Sequence, residues 1–328
     1  MIKILLSISL IMVLTGCASP STEQKTQPIY DSYITQFNSE QPNQAQMLAR
    51  PDGYRLYVRE FGTVNKGKAP SIVMMHGFPD NGHLYDALVP QLSGQFHVIT
   101  FDFLGWGQSD KPAAHLYNVA SQRADLDAVV SQLGLKSVVP MLHDLSGQAG
   151  IDWALDNEAQ TAALVLLNTY YSPMPTLKAP EAIQFFSTPS LLQRAAVWGS
   201  MKSGTNFQGG VADQLSKFFS NSQARDKYLP IVTHGAIHIR PAFFSSTSVL
   251  WQELEARQAN VQRMQKFKKP VHTIFGADDP YLNSDVAVEF NRLFTVGSLH
   301  LLSGAGHYVQ LDEPAQVGRI LREQLKAR

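Results

Sequence analysis

Short apolar runs at 71–75, 97–101, 137–142 and 163–167 recur along the chain, separated by longer stretches such as 119–133 whose apolar positions follow a helical period. Parallel strands are buried on both faces and therefore read as continuous apolar runs, so this alternation predicts a parallel sheet covered by helices. Two further runs, at 270–275 and 298–302, resume the pattern after a gap. Upstream, Gln46-Met47-Leu48-Ala49 and Tyr54-Arg55-Leu56-Tyr57-Val58 flank the turn tripeptide Pro51-Asp52-Gly53, which predicts an antiparallel hairpin. Together the runs predict an α/β fold with a mostly parallel eight-stranded sheet. The gap at 170–267 is rich in Phe, Ser and Gln and has no clear strand run, so it reads as a helical cap inserted over one end of the sheet.

Composition narrows the function. Of 328 residues, 44% are hydrophobic and 16% charged, proportions of a chain that buries a large core. Lys plus Arg and Asp plus Glu each total 27, and no basic stripe carries interleaved aromatics, which argues against a nucleic-acid partner. The single cysteine, Cys17, and the scattered histidines form no metal-ligand spacing, so neither a metal, another cofactor nor a disulfide is expected.

The start of the chain has Lys3, an apolar run from Ile4 to Leu14, and then Thr15-Gly16-Cys17. This is a signal-peptide layout, too short for a comfortable membrane span. Its ending resembles a bacterial lipobox, which implies a lipid on Cys17 and a cell-envelope lipoprotein; Ala18, where an Asp would signal inner-membrane retention, favours the outer membrane. The polar residues that follow read as a flexible tether. The expected organisation is thus 1–17 signal peptide and lipobox, 18–45 tether, 46–169 and 268–328 sheet domain, and 170–267 cap.

Open α/β sheets bind ligands at the carboxyl ends of their strands, so the informative residues follow each run. These are His76-Gly77-Phe78-Pro79-Asp80, Asp102-Phe103-Leu104-Gly105-Trp106-Gly107-Gln108-Ser109-Asp110, and His143-Asp144-Leu145-Ser146-Gly147. The three segments resemble the epoxide hydrolase and haloalkane dehalogenase branch of the α/β-hydrolases. The resemblance runs from about Tyr54 to the C-terminus and does not extend into the cap.

At a nucleophile elbow the reacting residue sits on a sharp strand-to-helix turn, and the flanking positions must be small. With Asp144 at the apex these include Ser146 and Gly147, although Leu142 is larger than the usual Gly; with Ser146 at the apex, Asp144 and Gln148 stand where glycines are wanted. Asp144 fits better, and Ser146 stays as the alternative. The resemblance implies His307, in Ser303-Gly304-Ala305-Gly306-His307, as general base, and Asp279 as the acid orienting it, with Asp278 the runner-up. Nucleophile, acid, histidine is the chain order of this fold. The oxyanion donors would be the backbone N–H groups of Leu145 and Phe78.

The leaving group is less legible. Dehalogenases of this branch carry Trp after the nucleophile and a second side-chain donor, whereas Leu145 and Phe78 stand here and neither side chain donates; an Arg, as in fluoroacetate-type dehalogenases, is also absent from that position. Trp198 or Trp251 would have to supply the contact. The His76-Gly77-Phe78-Pro79 motif is shared with epoxide hydrolases, whose opening oxygen is protonated by tyrosines. Tyr170, Tyr171 and Tyr228 are the candidates, with His76 and Trp198 as further pocket residues and Phe185, Phe186, Phe243 and Phe244 as apolar lining. The leading expectation is an epoxide hydrolase-like enzyme acting on a small to medium apolar substrate. The alternatives are a haloalkane dehalogenase, a serine esterase or lactonase using Ser146, and a binding protein on the same fold.

Overall fold

A computed structural model describes residues 22–188, 190–200 and 202–325. The signal-like segment 1–17, with Cys17, lies outside the described residues, as does the start of the expected tether. The strands are β1 (Asn43–Ala49), β2 (Arg55–Phe61), β3 (Ser71–Met75), β4 (Val98–Phe101), β5 (Val138–Asp144), β6 (Leu164–Thr169), β7 (Val271–Gly276) and β8 (Gly297–Leu302). They form one sheet in the order β1-β2-β4-β3-β5-β6-β7-β8. The hairpin makes β1 and β2 antiparallel, and β2 also runs antiparallel to β4. All remaining neighbours are parallel.

In β3, β6 and β7 every position is buried, although successive side chains point to opposite faces, so both faces of the central sheet are covered. The edge strands differ: β1 is mostly exposed and β8 mostly half-exposed. Because β3 to β8 run parallel, their carboxyl ends share one edge, and the segments following them meet there.

The N-terminal segment is a correction. Within 18–45, expected as a flexible tether, Thr22–Glu40 forms a helix and 43–45 belong to β1. The polar composition hides an aromatic stripe, Tyr30, Tyr33 and Phe37, spaced for one helical face. Tyr30 stacks on His234 at 4.0 Å, Tyr33 meets Tyr228 edge-on at 6.1 Å, and Phe37 meets Phe61 at 6.0 Å. The Tyr33 hydroxyl donates to Asp86 Oδ2 (3.0 Å), and Gln108 Nε2 donates to the Tyr30 oxygen (3.0 Å). The helix therefore ties cap residues to the sheet domain.

Between β6 and β7 the described secondary structure is helical, with the longer helices at Leu191–Ser200, Gly204–Ser216, Ser222–Val232 and Arg240–Ala256, joined by loops. This cap stands over the carboxyl edge of the sheet. Among the described residues, no helix is long and apolar enough to cross a membrane.

Candidate active site

Asp144 ends β5 with a φ of 50°, in the left-handed region. A non-glycine residue there carries a strain of order 1–3 kcal/mol and persists only where its surroundings enforce it. Here Thr169 Oγ1 donates to the Asp144 carbonyl at 2.6 Å, and the helix Ser146–Asp156 starts almost at once. The turn demands close approach behind it. A Cβ at Gly147 would lie 2.4 Å from the Tyr170 carbonyl oxygen. A Cβ at Gly150 would lie 2.1 Å from Leu142 Cδ2, so the oversized Leu142 is accommodated by a glycine one turn into the following helix.

Ser146 does not face the site. Its hydroxyl accepts from the His143 N–H (2.9 Å) and lies within 2.9 Å of the Met75 carbonyl and 2.8 Å of the His143 carbonyl, fully buried. It pins the elbow to the end of β3.

The Asp144 carboxylate faces the cavity. Its Oδ1 accepts the Phe78 N–H at 3.0 Å, the Leu145 N–H also acts on the carboxylate, and Oδ2 stands 3.9 Å from His307 Nε2. Burial raises its pKa against the pull of His307 and the two N–H donors. His307 Nδ1 bonds Asp279 Oδ2 at 2.7 Å. The Asp279 Oδ1 accepts N–H groups of Tyr281 (2.9 Å) and Leu282 (3.0 Å), which fixes the carboxylate while His307 holds its pKa low despite burial. Asp278, the runner-up acid, points to solvent.

Burial by itself would lower the His307 pKa, yet Asp279, then Asp144 and Asp80, carry it up to about 9. Asp80 ends the segment that follows β3, and no role for it was expected. It is buried, accepts the Tyr308 hydroxyl at 2.7 Å, and has its pKa lifted by burial to about 7. Asn168, also missed, donates to Asp279 Oδ2 at 3.0 Å and accepts the Gly276 N–H at 2.8 Å. The signal available in the sequence was its place at the end of the 163–167 run, beside the other strand-end residues. His143 packs between the His307 and Tyr308 rings, and its Nε2 bonds the His307 carbonyl at 3.0 Å.

The cavity over Asp144 has a volume of about 440 Å³. Its walls are mainly apolar: Met174, Leu177, Ile183, Phe186, Phe207 and Phe243 among others, with Tyr170, Trp251 and Tyr281 as aromatic side chains that carry a donor. Burial and the charge of Asp144 raise the Tyr170 pKa well above the ordinary phenol value, so the hydroxyl keeps its proton.

Several sequence-based candidates fall elsewhere. His76 is buried under the loop after β3, where Nε2 accepts the Phe103 N–H (3.0 Å) and Nδ1 bonds the Gly77 carbonyl (2.8 Å); it braces two loops and does not line the cavity. Tyr171 turns away, donating to Asp152 Oδ1 at 2.6 Å. Tyr228 is packed against the N-terminal helix through Tyr33. Trp198 and Phe244 line a separate groove, and Phe185 is exposed, while Phe186 and Phe243 do line the cavity. A helix rotates neighbouring side chains by about 100°, which separates Phe185 from Phe186 and Phe243 from Phe244. Among the described residues no cluster suits a metal ion.

The α/β hydrolase fold family profile matches residues 70–314, and the chain belongs to that family. Within it, the chain falls in the haloalkane dehalogenase and epoxide hydrolase-like branch, and it is a hydrolase. It is 24% identical over 294 residues to a haloalkane dehalogenase of Agrobacterium fabrum, covering 82% of this chain and 91% of that one. A shorter match, 36% over 115 residues, is to a cis-3-alkyl-4-alkyloxetan-2-one decarboxylase of Xanthomonas campestris pv. campestris, and covers 33% of this chain and 38% of that protein. Among solved structures, a thermophilic esterase from Thermogutta terrifontis superimposes with a TM-score of 0.70 at 18% identity, over 86% of this chain and 98% of that one, a likeness of fold.

Proposed function

We propose that the enzyme acts through an alkyl ester on Asp144 and that its substrate is an apolar epoxide. The observation that carries the reading is the Asp144 carboxylate itself, aimed into an apolar cavity with Oδ1 held by the Phe78 N–H, the Leu145 N–H acting on the same carboxylate, and His307 beside Oδ2. In the first step Oδ2 attacks a ring carbon, the C–O bond breaks, and the opening oxygen takes a proton from the Tyr170 phenol. The product is a hydroxyalkyl ester.

In the second step His307 takes a proton from water, and the hydroxide adds to the Asp144 carbonyl carbon. The charge that develops on Oδ1 rests on the Phe78 and Leu145 N–H groups, a stabilisation of about 2.7–4 kcal/mol per donor. Collapse expels the alcohol, which takes the proton from His307; the regenerated Asp144 carboxyl gives up the proton it gained with the hydroxide, and one proton returns to the Tyr170 phenolate, so the enzyme ends as it began. Ester formation also removes the negative charge of Asp144, one of the three that raise His307. The imidazole becomes easier to deprotonate at the step that needs a base. The geometry speaks against the esterase reading, since the Ser146 hydroxyl is engaged with backbone groups.

A haloalkane substrate is the second reading, and Trp251 is its specific support, because it lines the cavity and can donate to a departing halide. We also propose that Cys17 carries a lipid that anchors the enzyme to the outer membrane, on the lipobox-like sequence around it. The mechanism is tested by intact mass spectrometry of His307→Gln enzyme exposed to pooled epoxides and pooled haloalkanes. An adduct of full epoxide mass on Asp144 supports the first reading, an alkyl adduct with halide release the second. Labelling of Ser146 by a fluorophosphonate, with no adduct on Asp144, overturns both.

A further inference from the structure

The cap helix Leu191–Ser200 is turned the wrong way for a globular protein. Leu191 is 84% exposed, Leu192 88% and Trp198 63%, whereas Val197 is buried. Leu191, Ala195 and Trp198 lie four and three residues apart, on one face, and Ala195 is exposed with them. Phe185, 41% exposed, precedes them. Elsewhere among the described residues the large exposed apolar side chains are scattered along the chain, as they ordinarily are.

The charge around this face has one sign. Between Glu181 and Asp213 the chain carries Arg194 and Lys202 and no carboxylate side chain. Lys202 Nζ stands 4.9 Å from the Trp198 ring centroid. Exposed leucines, a tryptophan and flanking cations are the makings of a helix that lies in a lipid–water interface.

The chain's own route points to the same side. Tyr30 meets His234 and Tyr33 meets Tyr228, so the helix Thr22–Glu40 runs antiparallel to Ser222–Val232. Its first turns therefore head toward 235–241, and Ile237, His238 and Arg240 line the groove that also holds Arg194, Ala195 and Trp198. Cys17 precedes Thr22 by five residues, a reach of at most ~18 Å. A lipid there would hold the exposed face near the bilayer.

We propose that the Leu191–Ser200 face docks on an anionic phospholipid bilayer and that the enzyme works seated on the membrane, cap side down. The proposal rests on the surface and not on the Asp144 mechanism. Phe186 lines both the outer groove and the catalytic cavity, so the docked face lies next to an aromatic partition between the bilayer and Asp144.

The test uses the full, processed chain reconstituted in phosphatidylethanolamine–phosphatidylglycerol vesicles with brominated acyl chains. Trp106 and Trp153 are buried, while Trp251 lines the cavity but is 38% exposed, so the quenching lost on Trp198→Phe is the part that reports contact of Trp198 with lipid. Strong quenching is expected in the unaltered protein. Most of it should be lost in Trp198→Phe and in Leu191→Glu/Leu192→Glu, and it should weaken in phosphatidylcholine; circular dichroism melts confirm that the variants are folded. Equal quenching in the unaltered protein and the double variant overturns the proposal. So does an absence of quenching accompanied by a dimer that the double variant dissociates, which would make a second copy the occupant.

Discussion

Asp279→Asn separates the two half-reactions of the proposed mechanism. Asp279 Oδ1 accepts two backbone N–H groups, of Tyr281 and Leu282, so an asparagine would keep its oxygen there and present its NH₂ where Oδ2 now stands. That position faces two donors, His307 Nδ1 at 2.7 Å and Asn168 Nδ2 at 3.0 Å. Donor against donor is relieved when His307 changes tautomer, placing its proton on Nε2, which then faces Asp144 as a donor and has no lone pair for water. General-base catalysis contributes about 10²–10⁴-fold, or about 2.7–5.4 kcal/mol at ~1.36 kcal/mol per decade. Ester decay should slow by that factor, while ester formation, which uses Asp144 and Tyr170, should change far less. Rapid-quench peptide mass spectrometry on the substrate class found with His307→Gln follows both steps in one experiment. Equal slowing of formation and decay would refute the tautomer argument, and unaltered decay would remove His307 as the base.

Further outcomes follow from single contacts. Gly150→Ala should destabilise the fold by about 1–3 kcal/mol through overpacking against Leu142, and Leu142→Ala in the same chain should recover part of the loss in thermal denaturation. Ser146→Ala should leave ester formation nearly unchanged while lowering the melting temperature, because its hydroxyl braces backbone and not substrate. Tyr170→Phe should slow epoxide opening by about 10²-fold or more and spare any haloalkane reaction; slowing of both would assign Tyr170 to packing. For pH, His307 in the free enzyme should titrate near 9 by NMR, protonated below and neutral above. The ester has lost the Asp144 charge, so its decay should rise with pH through a midpoint below that value. A midpoint at or above it would contradict the coupling.

The alternation of apolar runs and amphipathic stretches was sufficient for the sheet, because strands buried on both faces must be apolar throughout whatever else the chain does. The residues at the ends of those runs could be grouped for a related reason: parallel strands bring their carboxyl ends to one edge. Asp144, Asp279 and His307, though up to 163 residues apart, could thus be read as neighbours. What a one-dimensional pattern lacks is the direction of each side chain and the identity of its partner. Tyr170 and Tyr171 are adjacent in sequence, yet one lines the cavity and the other bonds Asp152. The helix at Thr22–Glu40 escaped notice since its three aromatic anchors acquire meaning only against His234, Tyr228 and Phe61, supplied by the cap and β2. Leu142 looked like a flaw in the elbow until Gly150 was brought across from it. Apolar periodicity is a local property that the sequence by itself determined, whereas hydrogen-bond partners, pKa shifts and close approaches depend on distances that exist only once distant segments are packed, and these the tertiary structure decided.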